Sequence, residues 1–144
     1  MRSALVLLAT TATLTAAPVP KDFKKTDDKV ALVGLWKVNR LTINGRADQN
    51  LHTHTFGFDA EGNCHTLFGQ NARSDWTFTL DPTASPKRMN WVAKGGGSKW
   101  VCVYEVAGDT LKVGFVAQNV EPPATVEPGP TLTLYEMTRM PDSK

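Results

Sequence analysis

The sequence feature that most constrains the fold is an alternation of apolar and polar residues that continues from Gly34 to Arg139. Turn residues interrupt the alternation about every ten positions, which is typical of antiparallel sandwiches and barrels. The pattern predicts eight strands, at residues 35–43, 52–58, 63–68, 74–80, 87–93, 99–106, 110–117 and 131–139. Closure removes the exposed strand edges that invite aggregation, so eight short strands favour a barrel. We therefore predict an all-β fold, a single eight-stranded antiparallel up-and-down barrel, with a two-sheet sandwich as the alternative.

The first predicted strand changes face part-way along its length. Trp36 and Leu41 are both large and apolar, but a regular strand would point them to opposite sides. One extra residue in the strand would return both side chains to the same face. We therefore predict a β-bulge near Asn39 or Arg40.

The N-terminal residues have the composition of a secretory signal peptide. Arg2 precedes an uncharged run over residues 4–14, and small residues follow before Pro18. The run is too short to span a membrane, which requires about 20 apolar residues. We predict a signal peptide at 1–17, a linker at 18–25 and a barrel domain at 26–144, exported to the periplasm or beyond and without a membrane-spanning segment after cleavage. Within the domain, Thr26 is expected to cap a short helix that Gly34 ends and that plugs the barrel.

Composition excludes some classes of function. The formal net charge of the chain is +2 and falls by one without Arg2, so a nucleic-acid partner is not expected. No serine or cysteine lies in a recognisable nucleophile context, and no pair of carboxylates stands out on an apolar strand face. We predict a monomer that is not an enzyme and that carries no cofactor.

Cys64 and Cys102 raise the question of a disulfide, because exported proteins commonly contain them. In a simple meander these residues lie on the third and sixth strands, which are not neighbours. A disulfide requires Cα atoms within about 7 Å. The geometry favours two small buried hydrophobic residues, and the disulfide stays open as the alternative.

The chain has three histidines that could act as metal ligands. His52 and His54 are two residues apart, so their side chains project from the same face of a strand. The Asp59–Gly62 turn places His65 opposite Gly57, on the face away from His54. We therefore predict no metal site and interpret His52 and His54 as a polar strand end.

Four segments together resemble an uncharacterised planctomycete family of small exported proteins that is itself similar to lipocalins. They are residues 32–38 with the Gly-x-Trp motif, 78–87, 104–113 and 134–139. The resemblance covers about residues 30–139 and implies a lipocalin-like barrel, but no reaction, because the family has no assigned activity. It also implies a structural role for Gly34 and a contact in which the Arg139 guanidinium covers the Trp36 indole. Two features depart from the family, namely the His52/His54 pair and a loop over residues 119–130 rich in proline and glutamate.

The remaining functional signal is a set of aromatic residues on the faces expected to point inward. They are the candidates for the barrel lining: Phe56, Phe58, Trp76, Phe78, Trp91, Trp100, Tyr104 and Phe115. An eight-stranded barrel either fills with such side chains or holds one small ligand. We predict that any ligand is a small hydrophobic molecule. The alternative is an inhibitor-like interaction module that acts through the loop 119–130, since proline-stiffened loops lose less entropy on binding.

Overall fold

The computed structural model describes residues 27–48, 54–69, 72–116 and 120–141. These residues form a helix, α1 (Asp28–Leu32), and nine strands. The strands are β1 (Gly34–Ile43), β2 (Arg46–Ala47), β3 (Thr55–Phe58), β4 (Asn63–Phe68), β5 (Ala72–Asp81), β6 (Arg88–Ala93), β7 (Lys99–Ala107), β8 (Thr110–Val116) and β9 (Leu132–Arg139). The predicted signal peptide, the linker at 18–25, Thr26 and His52 lie outside the described residues.

Eight of the strands form a closed antiparallel barrel, which confirms the predicted fold class. Each strand from β3 to β8 pairs with the next strand along the chain. In addition, β1 pairs with both β3 and β9, which closes the barrel. The closing pair runs from Trp36 opposite Arg139 to Ile43 opposite Thr133. The two-residue strand β2 pairs with β1 alone and takes no part in the closure.

The bulge predicted in the first strand is present. The register between β1 and β9 shifts between Val38 and Arg40. Beyond the shift, Leu41 lies opposite Tyr135, and both Trp36 and Leu41 are buried. The extra residue therefore keeps the large apolar side chains of β1 on the buried face, as the sequence pattern required.

The beginning of the domain differs from the prediction in two details. Asp27 is the N-cap of α1, because its side chain accepts a hydrogen bond from the Lys29 amide at 2.9 Å. The helix ends at Leu32, and Gly34 begins β1 with a φ of +132° rather than ending the helix. A Cβ at Gly34 would lie 2.8 Å from Nη1 of Arg139, so this glycine permits a close approach of the last strand.

Apolar side chains are buried in two separate clusters. The larger fills the barrel interior from α1 and Trp36 to Met137. The smaller lies on the outer surface, where Val126 packs against apolar residues of β7, β8 and β9. Its members are Val103, Val116, Val126, Leu132 and Leu134.

The outer cluster exists because the outer loop, residues 120–131, folds back over the barrel. Gly114 leaves room for the Leu132 side chain of this cluster, since a Cβ at Gly114 would lie 2.9 Å from it. A salt bridge of 3.0 Å between Lys112 and Glu127 lies beside the buried Val126. Within this loop, Val126 is buried and only 7% exposed.

Cys64 and Cys102 are both buried free thiols, one on β4 and the other on β7. The disulfide left open by the sequence is therefore absent from this structure. Burial raises the pKa of both thiols well above the ordinary range. Separately, no helix in the described part of the chain has the length and apolar character needed to span a bilayer.

Candidate functional site

A cavity of about 420 Å³ lies at one end of the barrel. We call this the open end; it is where β1, β4 and β8 finish and where β7 and β9 begin. The opposite end, where α1 lies, is called the closed end. The cavity is lined by Ile43, Asn44, Phe56, Thr66, Phe68, Trp76, Trp91, Trp100, Phe115, Val116, Thr131, Thr133 and Tyr135.

The structure divides the eight predicted lining residues into two groups. Five line the cavity: Phe56, Trp76, Trp91, Trp100 and Phe115. The other three, Phe58, Phe78 and Tyr104, belong to the interior core but not to the cavity lining. All eight therefore lie in the barrel interior, as the alternation predicts, but only five of them border the cavity. Alternation shows which face a side chain occupies, but it does not show how far along the barrel axis the side chain lies.

Trp91 forms the floor that separates the cavity from the closed end. Its indole is 2% exposed and contacts Phe56 and Phe115 from the cavity wall, with ring centroids 5.8 and 5.0 Å away. It also contacts Phe58 on the side of the closed end, at 6.0 Å. The indole N–H donates to the sulfur of Met89, which satisfies the ring's polar atom inside the core. A rigid and polar-satisfied floor of this kind keeps the space above it from collapsing.

Two aromatic residues of the lining were missed by the sequence analysis. Phe68 is the last residue of β4, and its ring contacts His54 edge-on with centroids 4.8 Å apart. Tyr135 shares the inner face of β9 with Met137, and its ring lies 5.2 Å from that of Phe56. The alternation of β9 contains the signal for Tyr135, because Thr133, Tyr135 and Met137 are two residues apart. The alternation of β4 contains the same signal for Phe68, because Cys64, Thr66 and Phe68 are two residues apart and the first two are buried.

A few polar groups interrupt the aromatic wall. Thr66 is fully buried, and its hydroxyl donates to the Ser74 carbonyl at 3.3 Å. Burial and, to a smaller extent, the Asp48 carboxylate raise the pKa of Tyr135 above its ordinary value. The phenol is therefore un-ionised at neutral pH and retains a proton that it can donate. An apolar pocket with a small number of hydrogen-bonding groups is typical of small-molecule sites.

At the closed end, the contact predicted between Trp36 and Arg139 is present. The Arg139 guanidinium lies 4.3 Å from the centroid of the Trp36 ring. The indole N–H donates to the Leu32 carbonyl at 2.8 Å, and Arg139 donates to the carbonyls of Ala31 and Val33. The carbonyls at the C-terminus of α1, which a helix leaves without internal partners, are thus bound by two barrel side chains.

The other side of α1 is attached to the barrel through Asp28. The Tyr104 hydroxyl donates to Oδ2 of Asp28 at 2.8 Å, and the Lys87 ammonium lies 2.7 Å from the same oxygen. Burial, with help from the bond to Asp28, raises the pKa of the Tyr104 phenol. Tyr104 is therefore an anchor for the helix rather than a cavity residue. No local pattern indicates this pair, because the two residues are distant in the chain.

The structure separates the histidines as the sequence predicted. His65 lies opposite Gly57 and is partly exposed, whereas His54 contacts the ring of Phe68. On the outer surface, Nδ1 of His65 lies 2.5 Å from Asp75, which also accepts a hydrogen bond from Arg73 at 2.9 Å. Within the described ranges, no group of three or more histidine, cysteine or carboxylate side chains could hold a metal ion.

The chain was also compared with known proteins. No family model, no curated protein and no solved structure matches it. The resemblance to the planctomycete exported family stays a prediction from four sequence segments. The function must accordingly be argued from the cavity itself.

Proposed function

We propose that this chain is an exported, monomeric, non-enzymatic binding protein that holds a small hydrophobic molecule at the open end of the barrel. The observation that carries the proposal is the cavity of about 420 Å³ with largely aromatic walls. Its volume falls in the range of roughly 300–1,000 Å³ that ligand pockets occupy. An eight-stranded barrel whose side chains served only to fill it would leave no such space.

The packing of the walls supports binding rather than collapse. The Phe115 ring contacts Trp91 on one side and Tyr135 on the other, with centroids 5.0 and 5.5 Å away. Behind the wall, the outer cluster supports the strands that carry Phe115 and Tyr135. A pocket that keeps its shape without a ligand binds at a lower entropic cost.

The test is titration with the fluorescent probe N-phenyl-naphthylamine, whose emission rises in an apolar environment. We expect saturable binding with one probe per chain. The variant Thr133→Trp places a large side chain on the cavity lining and should abolish binding. Its matched control is Thr138→Trp on the same strand, because Thr138 is exposed on the outer face.

The control should bind the probe as the native chain does, and circular dichroism should show that both variants are folded. Equal binding by Thr133→Trp and the native chain would contradict the cavity as the site. Absence of saturable probe binding by the native chain would remove the proposal altogether.

The second candidate is the interaction module acting through the loop 119–130. Its described part is attached to the barrel by the buried Val126 and by an ion pair of Glu127 with Lys112. This attachment favours one loop conformation, which would reduce the entropy lost on binding a protein partner. Deleting residues 121–125 and repeating a pull-down would test it, since an unchanged set of partners would count against the loop.

A further inference from the structure

The composition of the cavity wall is unusual for a pocket that holds an alkyl chain. Seven of its described lining residues are aromatic, and the only aliphatic ones are Ile43 and Val116, of which Val116 also belongs to the outer cluster. The aromatic members are Phe56, Phe68, Trp76, Trp91, Trp100, Phe115 and Tyr135. Aromatic rings attract other rings through their quadrupoles, in addition to the area they bury. A wall of this composition favours a ligand that is itself aromatic.

The wall rings around Phe115 are steeply inclined to one another, whereas Trp91 meets Phe56 at 51° and Trp76 at 42°. Phe115 meets Trp91 at 85°, Trp100 at 78° and Tyr135 at 79°. The rings around Phe115 therefore present both ring faces and ring edges to the cavity. A flat ligand can stack on one ring and meet the edge of the next, which are the two arrangements that aromatic pairs prefer. A flexible chain can use neither and would also lose rotational freedom on entry.

The described part of the wall offers no ionised side chain to pair with a charged ligand. Of the residues that the structure describes, none that lines the cavity is an Asp, Glu, Lys or Arg. Burial of an unpaired charge is costly, whereas a neutral polar group needs only one hydrogen bond.

We infer that the ligand is an uncharged, flat aromatic molecule bearing a single hydrogen-bonding group, rather than a fatty acid or another amphiphilic anion. The ring system lies among the aromatic walls, and the polar group bonds to a hydroxyl of the lining, such as that of Thr133 or Tyr135. The inference rests on the proposed function, because it specifies the occupant of the same cavity.

The test is displacement of N-phenyl-naphthylamine from the native chain by three competitors at neutral pH. Naphthamide and naphthoate have nearly the same shape and differ in charge, since a carboxylate is ionised at neutral pH. Decanamide has the same neutral amide on a flexible chain of similar carbon number. We expect naphthamide to compete at least about tenfold better than naphthoate, because the wall cannot pair a charge. We expect it to exceed decanamide by several-fold.

Each outcome has a distinct meaning. Naphthoate competing as well as naphthamide would overturn the inference about charge, and decanamide competing as well would overturn the inference about aromaticity. In both cases the cavity would still be a binding site. Failure of the probe itself to bind would instead remove the proposed function, and the inference with it. A cationic competitor, naphthylmethylammonium, completes the set, and its binding more tightly than naphthamide would also overturn the uncharged assignment.

Discussion

The two ends of this barrel use similar residues for opposite purposes. At the closed end, the Trp36 ring is covered by Arg139 and its N–H is bonded to a helix carbonyl. At the open end, the rings of Trp76 and Trp100 border an empty volume of about 420 Å³. A cavity forgoes the contacts that would fill it, so the open end costs stability. The comparison indicates that the closed end stabilises the fold, whereas the open end gives up packing to keep the cavity that we propose as a binding site.

The largest expected difference between the ends comes from removing one indole at each. Trp36 is fully buried, so Trp36→Ala should lower the free energy of unfolding by about 3–5 kcal/mol. Trp100 is only partly buried at the cavity wall, and Trp100→Ala should cost about 1 kcal/mol. Equilibrium unfolding in urea measures both. Equal losses would contradict the proposed difference between the two ends, because they would show that the open end stabilises the fold as strongly as the closed end.

A smaller effect is expected from the arginine that covers the closed end. Arg139→Met removes the contact with Trp36 and the hydrogen bonds to the helix carbonyls, which should cost about 2 kcal/mol in unfolding free energy. The matched control is Arg40→Met, because Arg40 forms an exposed ion pair of 3.5 Å with Glu136. Such pairs contribute about 0–1 kcal/mol. A loss at Arg40 as large as that at Arg139 would show that charge alone, and not the position over the indole, accounts for the effect.

The two tyrosines of the chain allow the ends to be compared by pH. Burial raises the pKa of both phenols, assisted by Asp28 at Tyr104 and by Asp48 at Tyr135. Tyr135→Phe leaves Tyr104 as the sole tyrosine, and Tyr104→Phe leaves Tyr135. Ultraviolet titration of each variant therefore reports one phenol. We expect Tyr104 to ionise at the higher pH, because it is more deeply buried and donates its proton to a carboxylate.

The same shifts predict how stability changes with pH. A phenol whose folded pKa is raised contributes its stabilisation fully below the unfolded pKa of about 10 and loses it as the pH rises through the folded pKa. The free energy of unfolding should thus decrease above about pH 10. The decrease should be smaller in Tyr104→Phe than in the native chain. An identical alkaline decrease in both would show that Tyr104 is not the group responsible.

The sequence pattern predicted which side chains face the barrel interior, but not how far along the barrel axis each one lies. Period-two alternation specifies which face of a strand is buried, so closure, the bulge after Val38 and the outward position of His65 were all predictable. The contact of Trp36 with Arg139 followed from a resemblance, not from the pattern. Position along the axis depends on strand tilt and stagger, which alternation does not encode. Alternation consequently predicted that Phe58 and Tyr104 face the barrel interior, but not that they lie outside the cavity.

Two further features depend on contacts between distant parts of the chain. The bond of Tyr104 to Asp28 joins the helix to β7, and neither residue has a local signal for the other. The outer cluster depends on the space above Gly114, where a Cβ would lie 2.9 Å from the Leu132 side chain and 3.0 Å from that of Val103. The loop contains two valines, and Val126 is buried whereas Val120 is 40% exposed. The sequence pattern does not show which of the two packs against the barrel.

The smallest expected effect concerns the outer cluster. Val126→Ala removes two methyl groups from a buried site and should lower the free energy of unfolding by about 1.5 kcal/mol. Val120→Ala, in the same loop at 40% exposure, should change it by less than about 0.5 kcal/mol. Neither variant should alter the affinity for N-phenyl-naphthylamine, because both residues lie outside the cavity lining. If Val126→Ala alone bound the probe more weakly, the shape of the open end would depend on packing outside the barrel.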